Sequence, residues 1–224
     1  MKKVKTIFLV VVIVLVAIIL VRQEILLSNM KEVNTEQDVK LYLHDRNIPY
    51  IVKYVRLVNA LCKVSQDKMS AFEIVEVAKI ITIKCEIYTG LGLTPELILA
   101  VMERESNFNP NAVSKARAYG LMQVMRSTAE LHLALLGYGN VFSKDLMFNP
   151  IINVEIGIAE LVRLRKLFLS EGVDSWLIVL TAYFWGERNA WELLNSKKRA
   201  SLPSLEYGRG VLRLADKWKE LSLN

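Results

Sequence analysis

Apolar and polar positions divide the chain into an unbroken apolar run, a polar stretch and a long series of helical stripes. Ile7 to Val21 are apolar throughout, with Lys2, Lys3 and Lys5 before them and Arg22, Gln23 and Glu24 directly after. Ser28 to Asp38 (SNMKEVNTEQD) is polar and has no apolar period, which marks a tether. Beyond it, apolar residues recur at steps of three and four, each stripe opened by a helix-starting signal. Asn47 to Pro49 precede Ile51, Val55, Val58 and Cys62, and Ser70 precedes Ile74, Val77, Ile81 and Tyr88. Thr94 is followed by Pro95 at the first helical position, and Asn149 with Pro150 opens a stripe of Val154, Ile158, Leu161, Leu164 and Phe168. Asp174 is predicted to cap a helix running through Leu180 towards Tyr183 until Gly186 interrupts it. A last amphipathic segment spans about Leu205 to Leu221, with Val211, Leu214, Ala215 and Trp218 on one side. No strand alternation, internal repeat or low-complexity segment competes. The pattern predicts an all-α protein: cytoplasmic lysines and an anchor over 1–28, a tether and helical lead-in over 29–69, and a compact helical domain over 70–224.

The apolar run reads as an export segment. It lies between the core of a signal peptide and a full span of about 20 residues, so its length leaves both open. A signal peptidase needs small residues in an A-x-A-like pattern, and Arg22 to Met30 (RQEILLSNM) offers none that fits. Retention as a single-pass transmembrane signal anchor is therefore expected. No cysteine follows closely enough for lipid attachment, the nearest being Cys62. The early lysines favour the cytoplasmic side, which places everything after Arg22 outside a bacterial inner membrane.

Composition changes this picture little. The hydrophobic fraction of 53% is inflated by the anchor, and the net charge of +6 comes from Lys and Arg scattered along the helices rather than gathered in a stripe. Nucleic acid is therefore not an expected partner, and a wall glycan carrying acidic peptides suits the same charge. Cys62 and Cys85 could pair in an oxidising compartment, yet each also sits on an apolar stripe as a small core residue.

The stretch Leu97 to Ala129 (LILAVMERESNFNPNAVSKARAYGLMQVMRSTA) carries the candidate chemistry. Leu97, Val101 and Glu105 fall at i, i+4 and i+8, so Glu105 continues a buried stripe near a helix C-terminus. Desolvation and the negative end of the helix dipole both disfavour its ionised form and raise its pKa, as a general acid requires. Glu103 falls with Glu96 on another face and reads as a solvated charge. Asn107 to Pro110 end the helix, and a loop rich in small polar residues must wrap the carboxyl. From Ser106 to Ala129 there is no Asp or Glu, so this segment lacks the second carboxylate that most glycosidases use.

Glu105-Ser106, Asn109-Pro110, Ala112-Val113-Ser114 and Gly120-Leu121-Met122-Gln123 resemble the core of the soluble lytic transglycosylase family. Thr128-Ala129 follows in order, then Asn149-Pro150 with Asn153 and Gly157, Ala182-Tyr183 with Gly186, and the closing segment Tyr207 to Leu212. The resemblance implies a lysozyme-like (goose-type) helical domain behind an N-terminal transmembrane helix, acting on peptidoglycan. Glu105 would protonate the oxygen between N-acetylmuramic acid and N-acetylglucosamine, then act as base for the muramyl 6-hydroxyl, which closes a 1,6-anhydro ring. The substrate's acetamido group would support the cationic centre, so neither metal nor organic cofactor is implied. Ser114, Gln123 and Tyr183 would position the sugar, its acetamido group or Glu105. Met122 and Met125 would line the groove, or else belong to the core. Ser106 is expected to hold the helix end rather than touch substrate.

Two positions depart from the family. Its AYNxG motif is here Ala182-Tyr183-Phe184-Trp185-Gly186, with Phe184 in place of the amide, and Arg126 stands where a proline often follows GLMQxM. Trp185 could stack on a sugar ring or pack in the core with Trp176, Phe184 and Trp191. The alternatives are a goose-type lysozyme-like hydrolase, separable by its reducing product, and a catalytically silent wall-binding scaffold, against which the retention of Glu105, Ser114, Gln123 and Tyr183 speaks. Protein partners are not legible.

Overall fold

The computed structural model describes residues 36–65, 68–139, 141–195 and 202–223. The run at 7–21 and the polar stretch up to residue 35 lie outside the described residues. Among those described, no helix is long and apolar enough to cross a membrane. The chain forms two units that divide between Val64 and Ser65.

The first unit contributes α1, Glu36–Ser65. Asn47 to Pro49 do not start a helix, because α1 runs straight through them. A proline removes one rung of the hydrogen-bond ladder, which the rest of a 30-residue helix can absorb. Its buried apolar residues are Tyr54, Leu57, Val58 and Leu61, so the buried stripe shares Val58 with the predicted one and is otherwise turned to its side, Ile51, Val55 and Cys62 being half-buried. Cys62 is half-buried on α1 and Cys85 buried in the second unit, and both are thiols.

The second unit is helical: α2 (Ala71–Ile87), a 3₁₀ turn (Thr89–Leu91), α3 (Pro95–Ser106), α4 (Arg126–Leu133), α5 (Lys144–Phe148), α6 (Pro150–Ser170), α7 (Trp176–Trp185), α8 (Glu187–Asn195) and α9 (Leu202–Leu223). The start signals act as their chemistry dictates. Ser70 forms a full capping box with Glu73, the Thr94 hydroxyl accepts from Leu97 N at 3.2 Å, and the Asn149 side chain accepts from Ile151 N and Ile152 N. Asp174 is not a cap. Ser175 takes that role, accepting from Ile178 N, while Asp174 is drawn off to the guanidinium of the buried Arg165, whose Nε also donates to Leu91 O.

Helix α6 runs through the core, packed by α2, α4, α5 and α7, and its predicted stripe from Val154 to Phe168 is buried. Helix α9 packs on both α3 and α7. Its approach to α7 depends on Gly208, where a Cβ would lie 2.8 Å from Leu177 Cδ1 and 3.1 Å from Leu177 O. That contact brings the neighbouring Tyr207, with Val211, Ala215 and Trp218 below it, onto the core side of α9.

Candidate active site

Glu105 is the penultimate residue of α3, whose first turns are buried on every side from Leu97 to Met102. The helix ends in two successive left-handed residues, Asn107 (φ 49°) and Phe108 (φ 57°), which turn the chain back over its own end. Phe108 is buried and packs at nearly a right angle to Trp218, with ring centroids 5.9 Å apart. Lys68 Nζ donates to Asn107 O at 2.9 Å. Glu105, just before this turn, is half-buried.

The loop from Asn109 to Met125 folds on itself through two isolated bridges, Val113 to Tyr119 and Tyr119 to Val124. Asn153 of α6 holds it from below. Its fully buried amide accepts from Met122 N at 2.8 Å and donates to Tyr119 O at 2.8 Å and Met147 O at 2.9 Å, using three of its four hydrogen-bonding positions. Ser106 closes the gap between helix and loop, its one hydroxyl proton shared between Leu121 O at 2.8 Å and Met102 O at 3.1 Å, which is the helix-end role its position predicts.

The side chain that meets Glu105 is Tyr207, whose hydroxyl donates to Glu105 Oε1. Burial is the main influence on Glu105 and pushes its pKa up to about 7, against the opposing pull of the Tyr207 hydrogen bond and the Arg104 charge. Near neutral pH the carboxyl can therefore hold a proton and, once it has given it up, take one back. Tyr183 lies close enough to feel the Glu105 charge, and burial above all raises its pKa well beyond the usual tyrosine range. Its neutral hydroxyl donates to Met122 O at 2.8 Å, tying α7 to the loop.

The other predicted site residues fall in different places. Gln123, at φ 48°, donates through Nε2 to Ala112 O at 3.2 Å and Gly120 O at 3.1 Å, so its amide braces the loop. Ser114 Oγ accepts from Ala118 N at 3.0 Å, closing the 114–118 turn. Met125 is 41% exposed at the entry to α4. Met122 cannot line a groove with its side chain. It is wholly buried against Gly157, where a Cβ would come within 2.5 Å of its Sδ, so only its backbone serves the site.

Sequence reasoning missed two links. Tyr207 stands one turn before Val211 on the α9 stripe and was legible as part of the Y…VL segment, but not as the partner of Glu105. Glu103 is not a solvated charge, because its Oε2 accepts from Trp218 Nε1 at 2.8 Å, anchoring α9 to α3. The AYFWG segment ends α7 with Phe184 51% and Trp185 37% exposed. Phe184 lies flat on Tyr207, with ring centroids 4.4 Å apart and planes 13° from parallel. Among the described residues, no group of three or more His, Cys, Asp or Glu gathers in a way that could hold a metal ion.

Against known proteins, the model of the transglycosylase SLT domain matches residues 87–202, just over half of the chain. The chain belongs to this family. It is 36% identical over 112 residues to the membrane-bound lytic murein transglycosylase C of Shigella sonnei (strain Ss046), an alignment covering 48% of this chain and 31% of that one. The fold is similar to that of an inactive mutant of the lytic transglycosylase Slt of Pseudomonas aeruginosa, with a TM-score of 0.52 and 20% identity over 73% of this chain and 28% of the other. It is equally similar to the 70-kDa soluble lytic transglycosylase of Escherichia coli, with a TM-score of 0.52 and 18% identity over 75% and 30% of the two chains. The chain thus aligns with under a third of the length of each. The SLT domain here has the all-helical, lysozyme-like fold, and Glu105, the loop to Met125, the α6 amide and Tyr183 all lie inside the matched stretch.

Proposed function

We propose that this protein is a lytic transglycosylase that cleaves the β-1,4 bond between N-acetylmuramic acid and N-acetylglucosamine in peptidoglycan, leaving 1,6-anhydro-muramyl ends. The observation that carries the reading is Glu105 itself, a carboxyl raised to about 7 by burial and held by Tyr207 at a loop with no second acid. Protonated, it gives its proton to the glycosidic oxygen as the C1–O bond breaks, and the neighbouring acetamido oxygen shares the developing positive charge at C1. Glu105, now a carboxylate, takes the proton of the muramyl 6-hydroxyl as that oxygen bonds to C1. The carboxyl ends the cycle as it began, so one titratable group near neutral pH performs both transfers. In this reading Ser114, Gln123 and Tyr183 shape the loop that positions the sugar through the hydrogen bonds described above, Met125 flanks it, and Met122 contributes only its backbone.

The family relative named as membrane-bound supports a membrane location, and the lysine-flanked run at 7–21 supports a single-pass anchor with the catalytic domain outside the inner membrane. Mass spectrometry of muropeptides released from purified sacculi by the full chain in detergent tests the reaction. Anhydro-muramyl products are expected. Reducing ends in their place would identify a hydrolase, and no release would identify a silent binding protein.

A further inference from the structure

No Asp, Glu, Lys or Arg occurs from Leu131 to Ser143 (LHLALLGYGNVFS), and the fold leaves apolar side chains of this stretch facing solvent. One side of α4 is committed to the core, with Ala129, His132 and Leu133 buried and His132 Nε2 bonded to Glu160 Oε2 at 2.8 Å. The other side carries Leu131. Leu135 follows it one turn later, because the helical ladder runs on past α4 through Leu136 N to His132 O at 3.0 Å. Val141 precedes Phe142, whose ring lies 5.4 Å from the Arg126 guanidinium at the start of α4 and 5.9 Å from the ring of Tyr119. Leu131 is 49%, Leu135 79% and Val141 77% exposed, so an apolar patch borders the loop from Asn109 to Met125.

Three side chains no larger than leucine fall far short of the ~800 Å² that each partner gives to a stable protein interface. A bilayer asks for less. A few apolar side chains among its headgroups add to an attachment made elsewhere, because a tethered domain meets the surface at high effective concentration. The lysine-flanked run at 7–21 supplies that attachment in the anchor reading. Exposed basic groups also border the patch: Lys115 and Arg117 on the turn before Tyr119, and Lys144 at the start of α5. None of them pairs with an acid among the described residues, and the acids nearby are Glu130, held by Arg126 at 2.7 Å, and Asp145. An uncharged apolar centre with a basic rim is complementary to anionic lipid.

Resting on the membrane-anchor reading, we propose that Leu131, Leu135 and Val141 form a lipid-contact patch. They enter the headgroup layer of the bilayer that holds the chain, while Lys115, Arg117 and Lys144 meet anionic headgroups. Contact on this flank keeps the loop from Asn109 to Met125 close to the bilayer, because Phe142 packs on Tyr119 of that loop.

The test places the full chain carrying Leu135→Trp or Val141→Trp in vesicles of phosphatidylcholine and phosphatidylglycerol, with part of the phosphatidylcholine brominated near the headgroup end of its acyl chains. Wild type gives the background from Trp176, Trp185, Trp191 and Trp218, and Glu171→Trp, exposed at the opposite end of α6 from Asn153, is the control. All three positions are exposed, so melting should match wild type. The tryptophans introduced at positions 135 and 141 should be quenched about twofold above background, the control should not, and leaving out phosphatidylglycerol should weaken the effect. Quenching at positions 135 and 141 no greater than at 171 would overturn the proposal. So would self-association of the detergent-solubilised chain that is lost in the Leu131→Ser, Leu135→Ser, Val141→Ser triple variant, since it would assign the patch to a second copy. Vesicle flotation separates the patch from the anchor. A chain that floats without quenching would sink the patch alone, and one that neither floats nor shows quenching would sink both. Quenching in a chain too weakly held to float would discard the anchor and keep the patch.

Discussion

The Tyr207 hydroxyl donates a hydrogen bond to Glu105 Oε1 across 102 residues of sequence, joining the last helix to the end of α3. It opposes burial, since a donor to a carboxylate favours its charged form. Tyr207→Phe should therefore shift the Glu105 pKa above its present value of about 7 and move the alkaline limb of the kcat/KM profile upward. Loss of positioning should also lower kcat by about 10- to 100-fold. A pH-rate profile unchanged from wild type would mean that the bond plays no part in turnover.

The same burial makes stability depend on pH. Glu105 has a folded pKa of about 7 against an ordinary 4.5, so the folded state binds the proton more tightly than the unfolded chain. The stabilisation from that proton is complete below about 4.5, declines between the two values and is lost above 7. Thermal melting of Glu105→Gln should match wild type at pH 4 and exceed it at pH 8. A constant difference across this range would contradict the burial of the carboxyl.

Asn153 is expected to be the most sensitive polar position. Asn153→Ala leaves Met122 N, Tyr119 O and Met147 O without their partner in a buried site, each at about 1–3 kcal/mol. Urea denaturation should show a loss of about 3 kcal/mol or more, with turnover falling because the loop from 109 to 125 loosens. A loss under 1 kcal/mol would show that the loop holds itself.

Gln123→Ala should lower both stability and turnover, since the amide braces Ala112 and Gly120. Two neutral hydrogen bonds correspond to about 1–3 kcal/mol. Comparing melting with kcat separates the effects: reduced turnover at unchanged stability would make Gln123 a substrate ligand only.

Local chemistry was legible in the sequence wherever a few neighbouring residues settle it. The caps at Ser70, Thr94 and Asn149 satisfy the first amides of their own helices, so spacing alone reveals them. The raised pKa of Glu105 was legible for a related reason, because its place on the helix stripe is local. What stayed hidden depends on distant partners. Asp174 has the chemistry of a cap but is claimed by Arg165. Glu103 looks solvated until α9 lays Trp218 over it, and the two are 115 residues apart. Met122 could be groove or core by sequence, and the space that Gly157 opens decides for the core. In each case helical period sets the direction of a side chain and tertiary contact sets its partner.

Both transfers of the proposed reaction pass through the Glu105 proton. The most direct measurement is the rate at which Glu105→Gln releases anhydro-muropeptides from sacculi, set against Glu103→Gln, which keeps an acceptor for Trp218. The amide cannot deliver a proton, so release should fall by about 10²- to 10⁴-fold while the Glu103 variant stays near wild type and both remain folded. Near-normal release by Glu105→Gln, or a comparable collapse in Glu103→Gln, would contradict the assignment.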